Sequence, residues 1–226
     1  MRILAVDTTT WTGSVALLED AKLVCEVNWE CRSSHASRLL SSVDHVLEAG
    51  GIQIRDVDGF AVAVGPDSFT GIRIGLSTVK ALAFASRKPV AAVSTLRALA
   101  LKLAGPRTDL LCPALDAKKG EIYAALYQNR AGELAEAVAQ GAYAPADFFR
   151  KLRARGIIHF IGTGADVYRA EITDALGEKA RFSRRSPFIG YEVGRLGYEE
   201  LKNGRGLDGK DVEPLYFRKS QAEEKH

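Results

Sequence analysis

Histidine and cysteine are scarce in this chain, four and three among 226 residues. His35, His45, His159 and His226 fall at no metal-ligand spacing and read as structural or surface residues. Cys25, Cys31 and Cys112 are odd in number and lack a zinc spacing, so reduced packing thiols are expected in place of a disulfide or metal framework. No run of about 18 apolar residues occurs, which excludes an ordinary membrane-spanning helix. The opening MRILAVDTTT enters a strand without a charged-then-apolar leader, which argues against secretion and for the cytoplasm. A formal charge of +3 is too small to announce a nucleic-acid binder. Nor do Ser33-Ser34, Ser41-Ser42 or Ser68 sit in a G-x-S-x-G setting with an identifiable histidine base, so a stand-alone hydrolase is not expected.

What is present is an alternation of strands and helices with ample apolar content, 46%, for one large domain or two modest lobes. Residues 2–6, 14–18 and 22–29 predict a meander with turns at 10–13 and 19–21. Ser33 or Ser34 can cap a helix whose apolar stripe is Ala36, Leu39, Leu40, Val43, Val46 and Leu47, ending at Gly50-Gly51. A short apolar run at 60–64 is stopped by Gly65-Pro66. Thr70 can then cap a helix that Gly71 opens and that runs to about residue 86. A strand at 89–93 and a helix to about 103 precede Gly105-Pro106, a plausible lobe boundary. The second half restarts the plan: strands near 110–115, 122–127 and 134–140, a helix with Pro145 in its first turn running through 153, a strand at 157–161, then Gly162-Thr163-Gly164-Ala165 and a helix from Asp166.

Four stretches share a resemblance. Gly65-Pro66-x-Ser68-Phe69-Thr70-Gly71-x-Arg73-x-Gly75-Leu76, Lys80-Ala81-Leu82-Ala83, the opening Leu4-Ala5-Val6-Asp7-Thr8-Thr9 and the closing Pro214-Leu215-Tyr216-x-Arg218 closely resemble the TsaB family. That family is the dimerisation subunit of the bacterial machinery that makes threonylcarbamoyladenosine in tRNA. The resemblance implies a non-catalytic chain that heterodimerises with and activates a TsaD-type catalytic subunit, self-associates without it, and meets a TsaE-type ATPase and tRNA in the assembly. TsaD-like chains share the fold, but there the helix after the next strand carries two histidines four apart that bind a metal. Here Thr95 and Leu99 hold those positions, and neither side chain replaces an imidazole, so no metal is expected. The alternatives are a glycoprotease-type metallopeptidase, disfavoured by Thr95 and Leu99, and a weak ATP-binding, small-molecule kinase-like enzyme.

The repeated plan also resembles the actin-like, sugar-kinase-like (ASKHA) superfamily. It implies a duplicated α/β two-lobe fold, with residues 1–105 as the first lobe, 106–203 as a shortened second lobe, and about 204–226 returning to the first. That superfamily binds ATP between its lobes. Asp7, Thr8 and Thr9 therefore read either as magnesium and phosphate contacts or as a purely structural turn, crowded by Thr10 and Trp11 where such turns use glycine. Gly162 and Gly164 resemble the adenosine loop, while the hairpin Asp116-Ala117-Lys118-Lys119-Gly120-Glu121 lacks a glycine-rich cradle. No cofactor is required on this reading, and ATP or ADP binding is expected to be weak or shared with a partner. The helix at 71–86 is apolar almost all round, leaving a polar strip of Arg73, Ser77 and Lys80. Burial within its own domain and docking to a partner both fit that pattern. In the resembled families the first two helices pair with those of the partner, which implies an interface through Leu39, Leu40, Val43, Leu47, Ile72, Arg73, Leu76 and Lys80. Two basic clusters, Lys151, Arg153 and Arg155, then Arg181, Arg184 and Arg185, read as solvated faces or as a tRNA-facing patch.

Overall fold

In the computed structural model, residues 1–30, 35–130, 133–153 and 155–218 are described. They form two compact units: Met1–Ala98 with Phe188–Tyr216, and Leu99–Pro187 with Phe217 and Arg218. The division thus falls inside a helix and not at Gly105-Pro106, and the segment that returns to the first unit starts at Phe188 and not near 204.

The first unit is built on a five-stranded sheet of order β3-β2-β1-β4-β5. The meander β1 (Arg2–Asp7), β2 (Thr12–Glu19) and β3 (Lys22–Glu30) is antiparallel, and β4 (Gly59–Ala63) and β5 (Val90–Val93) add on in parallel beside β1. The side-chain period of two sorts each strand between faces. Leu4, Val6, Val15, Leu17, Phe60 and Val62 enter one core with α1 (Ala36–Ala49) and α2 (Phe69–Ser86). The opposite face carries Ser14, Leu18, Ala61 and Ala91, and α7 (Gly190–Lys202) lies on it. Gly190, Gly194 and Gly197 turn to that face, where added β-carbons would overlap Ser14, Leu18 and Ala61. This glycine ridge explains the early return of the chain: the small side chains of β2, β4 and β5 leave a groove that only a bare helix face can fill.

The stripe expected on the first helix is partly confirmed. Leu39, Val43, Val46 and Leu47 are buried, but Ala36 and Leu40 are exposed, Leu40 by 56%. Leu40 lies on the flank of the stripe, rotated away from the sheet. The suggested caps Ser33 and Ser34 lie outside the described residues, and His35 is the residue at the N-cap. The second helix opens two residues earlier than the glycine suggested. Ser68, at φ −53° and ψ 118°, is the N-cap and its hydroxyl accepts from the Gly71 N–H at 3.4 Å, so Thr70 and Gly71 lie within the first turn.

The second unit repeats the topology on a sheet of order β10-β9-β6-β7-β8. An antiparallel meander of β6 (Leu110–Lys118), β7 (Glu121–Arg130) and β8 (Glu133–Tyr143) is extended in parallel by β9 (Ile158–Ile161) and the three-residue β10 (Ala180–Phe182). α3 (Thr95–Leu103) precedes it. α4 (Pro145–Leu152) links β8 to β9 and packs Phe148, Phe149 and Leu152 into this unit's core, while α5 (Thr163–Val167) and α6 (Arg169–Leu176) link β9 to β10. The stretch from Gly162 is therefore not an open loop leading to a helix at Asp166, because α5 has already begun at Thr163.

Candidate functional site

The glycine-punctuated segment between β4 and α2 is a junction where the turn after β1 and the segment at Leu215 and Tyr216 are fastened. Gly65 sits at φ +106°, a left-handed backbone, with its missing β-carbon 2.9 Å from where the Leu215 carbonyl passes. That approach lets the Leu215 N–H donate to the Val64 carbonyl at 2.7 Å. One residue on, Tyr216 stacks on Phe69 with ring centroids 4.4 Å apart, and its hydroxyl accepts from Arg73 Nε at 3.1 Å. The Arg73 guanidinium lies 5.9 Å from each ring. The closing motif and the glycine motif thus form one cluster.

On the other side, α2 presses its first two turns onto the turn after β1. A β-carbon on Gly71 would overlap the Thr8 carbonyl oxygen, and one on Gly75 would overlap the Thr8 hydroxyl. The hydroxyl donates to the Gly71 carbonyl at 2.8 Å. What these two glycines admit is therefore the chain's own Thr8, its backbone at Gly71 and its side chain at Gly75.

This packing closes the turn expected to meet a nucleotide. Asp7, Thr8 and Thr9 are buried, none more than 1% exposed. Asp7 Oδ1 accepts from the Thr9 N–H at 3.0 Å and the Thr9 hydroxyl at 2.7 Å, and Asp7 Oδ2 is buried without a described partner. Burial raises the Asp7 pKa, opposed by the two Thr9 bonds and by nearby His35. His35 fastens the next part of the turn. Its Nδ1 accepts from Trp29 Nε1 at 3.2 Å, which assigns the proton to Nε2, 2.8 Å from the Thr10 carbonyl. Gly162 and Gly164 are likewise consumed by packing: added β-carbons there would press on the backbone of Ala114 and Leu115 in β6. The glycines and hydroxyls of these five residues thus serve joints of the fold.

The eight residues expected at a partner interface separate by position. Leu39, Val43, Leu47, Ile72 and Leu76 face inward, and the most exposed of them shows only 8%. Their side chains belong to the core of the first unit, a correction to the expected contact set. Leu40 and Arg73 face outward, and Lys80 Nζ reaches the Lys210 carbonyl at 3.4 Å. The residue not anticipated is Phe84, 88% exposed. With Thr70, Arg73, Ser77 and Ala81 it forms the outer ridge of α2, small in the middle and aromatic at the C-terminal end. Its signal was available: at about 100° per residue Phe84 falls in line with the polar strip of Arg73 and Ser77, so an apolar residue there has no core to enter.

A family model described as TsaD, tRNA N6-adenosine threonylcarbamoyltransferase, matches residues 29–223. The tRNA threonylcarbamoyladenosine biosynthesis protein TsaB of Bacillus subtilis is 31% identical over 236 residues, spanning 100% of this chain and 97% of that protein. The chain belongs to the TsaB family. The solved structure of YeaZ from Pseudomonas aeruginosa is 28% identical and superposes with a TM-score of 0.79, covering 95% of this chain and 99% of that one. At 12% identity and a TM-score of 0.55, ROK hexokinase from Thermus thermophilus, with 90% and 100% covered, shares the fold alone. The α/β architecture of this TsaB-family chain is thus the duplicated actin-like, sugar-kinase-like one. Thr95 and Leu99, at the positions where the resemblance to TsaD-like chains implies metal-binding histidines, are buried and offer no imidazole, so the residues present do not fit such a metal. Among the described residues no helix is long and apolar enough to cross a membrane.

Proposed function

We propose that this chain is the non-catalytic subunit that binds and activates a TsaD-type enzyme in tRNA threonylcarbamoyladenosine biosynthesis, and that it pairs with itself when that enzyme is absent. A TsaE-type ATPase and tRNA complete the assembly on this reading. The observation that carries it is the outer ridge of α2. Phe84 stands 88% exposed beside Ala81 and Ser77, on a helix whose inner face already fills its own core. A large aromatic held out on a rigid helix next to small residues is the form of an interface anchor, and such anchors commonly cost about 2 kcal/mol or more when removed. Leu40 supplies a second exposed apolar side chain from α1. The closed Asp7 turn supports a role that does not depend on nucleotide turnover by this chain.

The deciding experiment is light scattering of the chain with and without its TsaD-type partner, for the wild type and for Phe84→Glu combined with Leu40→Glu. The double variant should keep its circular dichroism and lose both homodimer and heterodimer, with affinity reduced about 30-fold or more. Unchanged association in a folded double variant would remove α1 and α2 from the interface. Failure of the wild type to bind any TsaD-type enzyme would remove the function.

A further inference from the structure

Six basic side chains of the second unit gather at one end of its sheet. β6, β9 and β10 run parallel and begin together, with Ile158 paired to both Leu110 and Ala180, and β7 finishes at the same end with Gln128 opposite Leu110. The segments leading into these starts share one rim. Arg107 precedes β6, Arg153 and Arg155 lie between α4 and β9, Lys179 precedes β10, and Arg130 ends β7. Two contacts tie the rim together. Lys179 Nζ donates to the Arg153 carbonyl at 3.0 Å, and the Arg181 guanidinium turns back to the carbonyls of Glu178 and Ala180. All six cations are exposed, against the carboxylates of Asp109, Glu133 and Glu178 at the same end. The sequence clusters are thereby redrawn: Arg181 joins Arg153 and Arg155, whereas Arg185, beyond β10, donates to the Lys102 carbonyl. The imidazole of His159 registers the positive field, its pKa lowered by burial and then by Arg181, with Asp109 opposing.

We propose that this rim holds the phosphate backbone of a folded RNA in sequence-independent contact. Five of the six cations are arginines, whose planar forks match phosphate oxygens bidentately. A lipid surface would ask for an apolar wedge among the cations, and among the described residues the rim offers as a large exposed apolar side chain only Ile157, 53% exposed. The proposal rests on the biosynthetic reading above for the identity of the RNA, a tRNA, and on the rim alone for the binding.

The test uses the full chain and an unmodified tRNA transcript, followed by fluorescence anisotropy at about 50 and 200 mM salt. Binding in the micromolar range or weaker is expected at the lower salt, falling steeply at the higher. The triple variant Arg153→Glu, Arg155→Glu, Lys179→Glu should bind at least tenfold more weakly and lower the slope of log K against log salt by roughly two to three. The control triple Lys22→Glu, Arg55→Glu, Arg195→Glu changes net charge equally on the first unit and should retain most of the affinity. The proposal is overturned by any of three results: no binding of the wild type at low salt, equal losses in both triples, or a rim triple that loses phosphatidylserine vesicles while retaining RNA. Heterodimer formation with the TsaD-type enzyme, measured separately, should survive in the rim triple. Its absence already in the wild type would sink the function reading without touching the rim.

Discussion

Gly71 is the residue on which the junction turns. Because a β-carbon there meets the Thr8 backbone and not the tip of a flexible side chain, neither partner can yield locally. Gly71→Ala should destabilise the protein by about 3 kcal/mol, at the upper end for overpacking, seen as a lower urea midpoint with an unchanged slope. A loss below about 0.5 kcal/mol would mean that α2 slides freely on the turn. Asp7 makes a prediction of opposite sign. A carboxyl whose pKa is raised on folding holds its proton more tightly in the folded state, so stability falls as pH rises from the ordinary carboxylate value through the raised one. Asp7→Asn keeps an acceptor for Thr9 and removes the buried charge. Its stability relative to the wild type should therefore climb with pH across the acid range and level off above it, read from urea midpoints. A gap that shrinks with rising pH would show that the ionised form is the one the fold prefers.

Among the elements, α1 and α2 each divide cleanly between a core face and an outer face, and substitutions of the same kind should divide with them. Val43, 3% exposed, lies among Leu39, Val46 and Leu47, so Val43→Glu places a carboxylate in the core and should unfold the first unit. Phe84→Glu on the outer ridge should leave the melting temperature within a few degrees of the wild type. Thermal melts of the two variants give the comparison, and a cooperative, near-native melt for Val43→Glu would contradict the assignment of faces. The stack of Tyr216 on Phe69 is a smaller test of the same junction: Tyr216→Ala should cost roughly 0.5–1.5 kcal/mol beyond the lost area.

At the scale of the molecule, the first unit is discontinuous in sequence. Residues 1–98 supply the sheet and one of its covering layers, and α7 supplies the other from residues 190–202. The segment after α7 adds a bridge to β5, with Val90 and Leu207 exchanging hydrogen bonds at 2.8 and 2.9 Å. Residues 1–98 alone would leave Leu18, Ala61 and Ala91 open to water, so that fragment should fail to melt cooperatively. A chain in which a short flexible linker replaces residues 99–187 should regain a cooperative transition. Cooperative unfolding of 1–98 by itself would show that α7 is dispensable.

Local pattern by itself determined much of this protein. The meanders, the helix stripes and the repetition of one plan in two halves follow from periods of 2 and 3.6 residues and from glycine and proline punctuation, which are short-range quantities. The motifs that carry the family, Gly65 to Leu76 and the two terminal stretches, are short-range as well. What only the tertiary structure decided is how distant segments spend those residues. Gly71 and Gly75 look alike whether they admit a partner's backbone or Thr8. Gly162 and Gly164 look alike whether they cradle a ligand or sit on β6, and Leu39 and Leu40 are neighbours with opposite fates. Nothing nearby in sequence reports that α7 covers the sheet that residues 2–93 begin, because its glycines have meaning only against the small side chains of β2, β4 and β5. Burial belongs to the packed chain, and the same apolar residue is core or contact surface according to what else the fold brings to it.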